Sequence, residues 1–143
     1  MGHEAAKFTP AGIAAARALI TQLLSDLDAV CVSGACHLGG IDIWAAEIAR
    51  DLGRKLIEYP PETLHWENGF RERNIRIAER SDIVHCIVVN QLPESFAGRR
   101  FEYCYHCHTS DHVKSGGCWT RKYCEHTLGK RGQTHIINQK EER

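Results

Sequence analysis

The feature that most limits the fold of this chain is the alternation of short apolar runs with longer segments of helical periodicity. The run Ile83–Val89 is almost wholly apolar, which is typical of a strand buried on both faces of a parallel sheet. The other predicted strands cover residues 29–33, 55–59 and 134–138, and the predicted helices cover 10–27, 41–52, 67–80 and 118–128. This alternation indicates an α/β fold with a parallel sheet between two layers of helices.

The start of the chain departs from the usual plan of such a fold. Thr9 supplies an N-cap hydroxyl and Pro10 suits the first helical position, so only eight residues precede the first helix cap. A doubly wound domain ordinarily opens with a strand. We therefore predict a single Rossmann-like, three-layer domain over residues 1–138, with a mainly parallel sheet whose first strand is missing, followed by a charged tail at 139–143.

Length and composition exclude several classes of protein. A chain of 143 residues, 43% of them hydrophobic, suits one domain with a real core. Eighteen Lys and Arg balance eighteen Asp and Glu, which disfavours nucleic acid and anionic membranes as partners. No apolar run approaches the roughly 18 residues that a membrane helix needs. We expect a cytoplasmic protein without membrane contact, and the sequence leaves open whether it forms a homo-oligomer.

Two glycine-rich turns, at 33–42 and 115–120, each lead into a predicted helix. Free backbone N–H groups and the helix dipole at such turns attract phosphate, and ligands of parallel sheets bind at this carboxyl edge. The alternative is that the glycines only turn the chain and that the arginines of helix 67–80 form a solvated face. The residues expected to contact a ligand are Ser33, Gly34, Gly39, Gly40, Asp42, Arg73, Asn74, Gly116, Gly117 and Thr120.

The order of these motifs resembles that of the SLOG superfamily. The motifs are Ser33-Gly34, the run from Gly39 to Ala45, the stretch 69–74, the stretch 81–84 and the turn 116–120. This Rossmann-like group includes YspA-like proteins, DNA-processing protein A and the LOG phosphoribohydrolases, and the likeness, which covers residues 2–138, is closest to short YspA-like members from bacteria and phages. It implies binding of a nucleotide or nucleotide-derived molecule. In that alignment Gly2 and His3 form the turn after the first strand, so the chain begins where that strand should end.

The same resemblance raises an enzymatic alternative, a nucleoside 5′-monophosphate N-glycosidase. In the LOG pattern a glutamate follows the second glycine turn, whereas here Trp119 replaces a glycine and Tyr123 stands in the position of the glutamate. Cleavage of an N-glycosidic bond needs a carboxylate to activate water or stabilise positive charge, so this departure disfavours the enzyme. The carboxylates left as substitutes are Asp42, Glu47 and Glu72.

Cysteine and histidine are abundant, with seven and nine copies, and six of these sixteen residues lie in the aperiodic region at residues 101–118. An odd number of cysteines fits reduced thiols better than a disulfide framework. Cys104, Cys107, His112 and Cys118 follow the pattern C-x2-C-x4-H-x5-C, which resembles a CCHC zinc knuckle with one extra residue. We predict that these four residues hold a structural zinc ion in an insertion at 101–118.

Two alternatives to this zinc site remain open from the sequence. The thiols and histidines can be unliganded, or other residues can replace members of the set. The rival ligands are His106, His108, Cys124 and His126. A zinc-knuckle adaptor that stacks nucleic-acid bases on Tyr105 and Trp119 is a third class of function, which the neutral net charge disfavours.

Overall fold

The computed structural model of the protein describes residues 1–139 and has a mixed α/β fold, in agreement with the prediction. The helices are α1 (Pro10–Leu23), α2 (Ile41–Asp51), α3 (Arg71–Arg80) and α4 (Gly116–Lys122). The strands are β1 (Val30–Ser33), β2 (Lys55–Glu58), β3 (Ile83–Val89) and β4 (Arg131–Ile137). Residues 140–143 of the predicted tail lie outside the described residues.

The strand pairing is parallel, as predicted, but the strands form two sheets within residues 1–139. In one sheet β1 pairs with β2, and Val30 lies opposite Lys55. In the other β3 pairs with β4, and Ile83 lies opposite Arg131. No full strand joins β1 to β3 in this part of the chain, and this gap is what divides the sheet.

Residues 1–3 mark the position where a first strand was expected. They run parallel to β3, and Gly2 forms a single bridge with Ile87. The Met1 nitrogen donates to the carbonyl of His85 at 2.9 Å, Ile87 N–H donates to the carbonyl of Met1 at 2.8 Å, and His3 N–H donates to that of Ile87 at 3.3 Å. This part of the chain therefore contributes only the last residues of a strand at that position.

The helices pack in two pairs, α1 against α2 and α3 against α4. The larger apolar core includes Ala16 and Ile20 of α1, Ile41 of α2 and Val89 of β3, all of them buried. A smaller cluster places Ala78 of α3 beside Val84 and Cys124. The helical spacing predicted these buried faces because residues three or four apart share one side of a helix.

The predicted first helix is too long at its C-terminal end. It ends at Leu23, and Leu27, which we expected on its buried face, is 84% exposed. The guanidinium of Arg54 donates hydrogen bonds to the carbonyl of Leu24 at 2.9 Å and to that of Ser25 at 3.2 Å. These hydrogen bonds satisfy the carbonyls at the helix end, so the chain turns there toward β1.

Two helices have a single wider π-helical turn at one end. The turn Trp66–Phe70 precedes α3, and the turn Tyr123–Thr127 follows α4. Gly69 is needed in the first of these turns because a Cβ there would collide with the carbonyl of Thr63. The sequence periodicity predicted helix over both regions but did not distinguish the turn type.

Gln139, which the sequence assigns to the tail, is anchored in the domain. Its side chain is buried, and its Nε2 donates to the carbonyls of Lys7 at 2.8 Å and Gln91 at 2.9 Å. Its Oε1 accepts from the amide of Thr9 at 3.0 Å. Gln139 therefore joins the segment before α1 to the end of the chain. Within residues 1–139 no helix has the length and apolar character that crossing a bilayer requires.

Candidate metal centre and glycine turns

The two cysteines of the C-x2-C pair lie on a tight turn between residues 104 and 109. Cys104 and Thr109 exchange two backbone hydrogen bonds, of 2.9 and 3.3 Å, which close the turn as an antiparallel bridge. His108 has a φ of 55°, in the left-handed region that non-glycine residues seldom adopt. The turn brings the Cys107 thiol to the same side as the fully buried Cys104 thiol.

His112 enters the same cluster with its ring orientation set by a neighbour. Its Nδ1 donates to the carboxylate of Asp111 at 2.6 Å, and this hydrogen bond lowers the pKa of Asp111. The Nε2 atom is then free to act as a ligand and lies 3.6 Å from the Cys118 sulfur. A carboxylate behind a histidine is the usual support of a metal ligand. The sequence could have indicated the contact between His112 and Asp111, because Asp111 directly precedes the predicted ligand His112.

Cys118 supplies the fourth ligand atom from the first turn of α4. Its amide donates to the carbonyl of Ser115, whose hydroxyl accepts from the amide of Gly117 at 3.0 Å. The Cys118 sulfur also lies 3.8 Å from that of Cys86 on β3. The cluster is therefore in contact with the sheet through a cysteine that the sequence pattern did not include.

The four predicted ligand atoms lie within 4.8 Å of one another, and no disulfide joins the seven cysteines. A tetrahedral zinc ion with Zn–S bonds of about 2.3 Å places its sulfur ligands about 3.8 Å apart. Three side chains of the set are buried and Cys107 is half-buried. The set therefore has the composition, compactness and burial of a closed site that can hold a metal ion.

The surroundings of the cluster favour the neutral form of the Cys107 and Cys118 thiols in the absence of a metal. Burial and the nearby Cys118 raise the pKa of Cys107 to about 11, and a hydrogen bond with Cys86 and burial raise the pKa of Cys118. Arg121 donates to the Cys107 sulfur at 3.4 Å and pairs with Glu125 at 2.8 Å. Metal binding would therefore release protons. Three thiolates bound to one dication carry a net negative charge, which the nearby guanidinium of Arg121 would offset.

The rival ligands that the sequence left open lie outside this group. Cys124 is buried in the smaller core cluster, where its sulfur approaches the carbonyl of Arg131 at 3.4 Å. The histidine at 106 offers its backbone carbonyl to Lys122 at 2.6 Å. Within residues 1–139 the structure groups the four residues of the original pattern and none of the rivals.

The first glycine turn lies above a buried ion pair. Arg73 of α3 donates to the carbonyl of Gly34 and lies 3.9 Å from the carboxylate of Asp42, with both side chains at least 93% buried. Ser33 completes this arrangement, since its hydroxyl donates to the carbonyl of Asp42 at 3.0 Å. A Cβ at Gly34 would collide with the guanidinium of Arg73. The turn, α2 and α3 are therefore held together by residues that the sequence assigned to ligand binding.

Two buried polar atoms on adjacent residues of α3 have no protein partner within residues 1–139. They are Nε of Arg73 and Oδ1 of Asn74, on side chains that are 7% and 3% exposed. Unsatisfied buried groups are rare and are commonly explained by a missing water or ligand.

The first glycine turn also contains two glycines with positive φ. Gly39 and Gly40 have φ angles of 77° and 83°, and Gly40 lies against the backbone of residues 3–5.

The second glycine turn uses its polar groups internally. The hydroxyl of buried Thr120 donates to the carbonyl of Gly116 at 3.3 Å, and the amide of Gly117 is taken by Ser115. Gly117 packs on the sulfur of Cys86, and a Cβ added at Gly117 would lie 3.5 Å from the nitrogen of Gly2. The second turn therefore supplies Cys118 to the Cys/His cluster, whereas Arg73 contacts the first turn.

His3 connects these regions through its side chain, whereas the sequence predicts only a place in a turn for it. Its Nδ1 accepts from the amide of Val89 at 3.1 Å, and its Nε2 contacts the carbonyl of Lys114 at 2.9 Å. With Nδ1 as acceptor, the proton lies on Nε2 and the ring is neutral. Burial, with a smaller effect from the charge of Lys7, lowers the pKa of His3 to about 3.

The carboxylates considered for N-glycoside cleavage are dispersed. Asp42 is buried beside Arg73, Glu47 is paired with Arg17 at 3.0 Å, and Glu72 is exposed. Glu125 pairs with Arg121 near the Cys/His cluster.

Comparison with known proteins gives no match, whether with protein-family models, curated proteins or solved structures.

Proposed function

We propose that this chain is a zinc-binding α/β domain in which Cys104, Cys107, His112 and Cys118 hold one ion. The observation that carries the proposal is the grouping of these four ligand atoms within 4.8 Å of one another. Three thiolates and one imidazole favour zinc, whereas an iron–sulfur cluster ordinarily uses four cysteines. Four protein ligands leave no open position for water, so the role of the ion is structural.

The ion would order a segment that has little secondary structure of its own. Between β3 and α4 the chain runs for 26 residues without a regular helix or strand. The proposed ligands join the turn at 104–109, the following loop and α4 at one point. Zinc binding to such sites supplies on the order of 10 kcal/mol of apparent free energy, enough to order this connection.

The test is metal analysis of the protein purified without chelator, combined with native mass spectrometry. We expect one zinc ion per chain, which is lost in Cys104→Ser and in His112→Ala. Cys36→Ser is the matched control, because Cys36 is a half-buried cysteine outside the cluster. Cobalt replacement should give the visible bands of a tetrahedral thiolate site. A metal-free chain, or equal loss of metal in Cys36→Ser, would contradict the proposal.

A second function, binding of a nucleotide-type molecule at the first glycine turn, is favoured by a separate observation. The buried atoms Arg73 Nε and Asn74 Oδ1 lack protein partners, and Arg73 contacts Gly34, which directly follows β1 at the carboxyl edge where ligands of parallel sheets bind. The resemblance to the SLOG superfamily supports the same ligand class. We propose that backbone amides at the start of α2 bind a phosphate, that Arg73 offsets its charge, and that Asp42 accepts from ribose hydroxyls.

Native mass spectrometry and calorimetry with a panel of nucleoside monophosphates test this second proposal on the zinc-loaded protein. Arg73→Lys should weaken binding at least tenfold, because a lysine cannot contact both Gly34 and a phosphate with one planar group. Arg76→Lys, an exposed position on the same helix, is the control. Absence of binding across the panel would refute nucleotide recognition and leave the zinc proposal intact. Release of free base would instead assign the N-glycosidase activity.

A further inference from the structure

Four of the seven cysteines lie in one group between β3 and the start of α4. Three of them are the proposed zinc ligands Cys104, Cys107 and Cys118. The fourth is Cys86 of β3, which is fully buried and whose sulfur lies 3.8 Å from that of Cys118. The remaining cysteines lie outside the group; they are Cys31, Cys36 and Cys124. The structure therefore places one more thiol at the cluster than the zinc site uses.

The contact between Cys86 and Cys118 joins two regular elements of the domain. Cys86 alternates with Val84 and Val88 on one face of β3, and Cys118 lies in the first turn of α4, which packs on that strand. Gly117 permits this approach, because a Cβ at Gly117 would lie 2.8 Å from the Cys86 sulfur. Forming an S–S bond of about 2.05 Å requires the sulfurs to move about 1.8 Å closer, which is on the scale of a side-chain rotation. The two thiols are therefore placed to form a disulfide while α4 stays on β3.

Cys107 is the sulfur of the group that an oxidant reaches first. Its side chain is half-buried, whereas Cys86, Cys104 and Cys118 are fully buried. The susceptibility of a cysteine to oxidation increases with its exposure. Cys104 lies on the same turn as Cys107, which the two backbone hydrogen bonds between Cys104 and Thr109 close. A disulfide between Cys104 and Cys107 would remove two of the four proposed zinc ligands.

The extra thiol makes the number of sulfurs in the group even. Oxidation of a site with three cysteines alone leaves one cysteine without a partner, and an unpaired sulfenic acid can proceed to sulfinic acid, which thiols do not reduce. Cys86 supplies the partner that Cys118 would otherwise lack. Pairing Cys104 with Cys107 and Cys86 with Cys118 uses all four thiols, so the oxidised cluster can be restored by reduction.

We propose that Cys86 and Cys118 form a reversible disulfide when a hydroperoxide oxidises the cluster, and that zinc leaves in the same change. Each disulfide consumes one hydroperoxide. A cysteine sulfur attacks the outer peroxide oxygen, the O–O bond breaks, and an alcohol or water leaves. A second cysteine sulfur then attacks the resulting sulfenic acid and displaces water. Four sulfurs are oxidised and two hydroperoxides are reduced, and the protons on the products come from the thiols or, for zinc-bound sulfurs, from water.

The two disulfides would have different effects on the domain. The loss of zinc, which rests on the proposed zinc function, would free the connection between β3 and α4 from its point of attachment and uncover Cys118 for the second oxidation. The disulfide between Cys86 and Cys118 would keep α4 covalently attached to β3. The change is therefore a peroxide-dependent release of this connection, which a thiol reductant and zinc reverse.

The test exposes the full zinc-loaded chain to hydrogen peroxide in excess over its thiols. Alkylation under denaturing conditions followed by mass spectrometry counts the remaining thiols, and peptide mapping identifies the disulfides. We expect the four thiols of the group to be lost, a mapped disulfide between Cys86 and Cys118, and release of the bound zinc, which a chelating dye measures. Dithiothreitol with added zinc should restore the thiols and the metal.

Two substitutions at position 86 separate the proposed role from packing. Cys86→Ala and Cys86→Val remove the thiol, and valine is the side chain of both neighbours on this face, Val84 and Val88. Both variants should still release zinc, but zinc recovery after reduction should fall at least about fivefold, because Cys118 is left to overoxidise. Cys36→Ser, which changes a half-buried cysteine outside the group, should lose the same four thiols as wild type and recover zinc equally.

Three results would overturn the proposal. The first is an unchanged thiol count in hydrogen peroxide. The second is a map that joins Cys118 to Cys104 or Cys107 while Cys86 stays reduced. The third is zinc recovery at the wild-type level in both variants of Cys86. Disulfide mapping applies equally to a chain that binds no metal, so failure of the zinc proposal and failure of the pairing between Cys86 and Cys118 are separate results.

Discussion

The buried histidine at position 3 makes the stability of the fold depend on pH in a way that one substitution can isolate. His3 accepts a hydrogen bond from Val89 N–H through Nδ1, and its Nε2 contacts the carbonyl of Lys114. Burial lowers its pKa from 6.5 to about 3. The folded protein therefore keeps this ring neutral at pH values where the unfolded chain protonates it.

The sign and size of the effect follow from these two pKa values. The contribution of His3 is complete above pH 6.5 and decreases as the pH falls toward the folded pKa of about 3. At pH 5.5, one unit below the unfolded value, the unfolded state gains about 1.4 kcal/mol relative to pH 8. The free energy of unfolding of small proteins falls by about 1–3 kcal/mol per molar urea, so the urea midpoint of unfolding should fall by roughly 0.5–1.4 M between pH 8 and pH 5.5.

The assay compares urea unfolding of the zinc-loaded wild type and of His3→Gln at pH 8 and pH 5.5. We expect His3→Gln to be less stable at pH 8, and to lose about 1.4 kcal/mol less than wild type between the two pH values. Other groups, including His85, whose pKa is lowered to about 4, are present in both proteins and cancel in the comparison. His37→Gln, an exposed histidine on the first turn, controls for loss of a histidine as such.

Equal pH dependence in wild type and His3→Gln would refute the assignment of His3 as a neutral buried group. A wild type that becomes more stable between pH 8 and pH 5.5 relative to His3→Gln would reverse the sign and would mean that the folded state binds the proton. Either result would mean that the folded protein protonates His3 at pH 5.5 and loses the hydrogen bond from Val89 N–H at that pH, because a protonated Nδ1 cannot accept it.

The remaining predictions concern the metal cluster and the first glycine turn. Removal of zinc with a chelator should speed hydrogen exchange in the connection between β3 and α4 while β3 itself stays protected, and uniform protection would contradict the structural role. Asp111→Asn should lower zinc affinity about 10- to 100-fold, because Asp111 orients the His112 ring. Glu102→Gln changes another exposed carboxylate of this segment and should leave the affinity unchanged. Competition with a chelating dye measures both affinities. Gly40→Ala should destabilise the fold by at least about 2 kcal/mol more than Gly53→Ala. Both glycines have positive φ, but a Cβ at Gly40 would meet the backbone of residues 3–5 and one at Gly53 meets open space, so equal unfolding midpoints would refute the contact.

The sequence was sufficient for the order of the elements and for the composition of the Cys/His cluster that can hold a metal ion. Periodicity placed all four strands and the helices, because a buried face repeats at intervals that local geometry sets. The C-x2-C spacing placed Cys104 and Cys107 on one turn for the same local reason. His112 and Cys118 are near in sequence, and the structure brings both to that turn. The nucleotide function that the resemblance implies stays a prediction.

Other features depended on contacts between residues far apart in the chain, which no local pattern encodes. Gln139 is polar and near the end of the chain, yet it is buried because it bridges Lys7 and Gln91. Arg73 and Asp42, assigned separately to a ligand, form a buried ion pair because α3 packs near β1 and the turn that follows it. The strands form two parallel pairs because Val30 of β1 meets Lys55 of β2 and Ile83 of β3 meets Arg131 of β4, contacts that span about 25 and 50 residues of the chain. Local chemistry thus determined the elements and the Cys/His pattern, and the packing of distant segments decided which strands pair and which polar groups are satisfied.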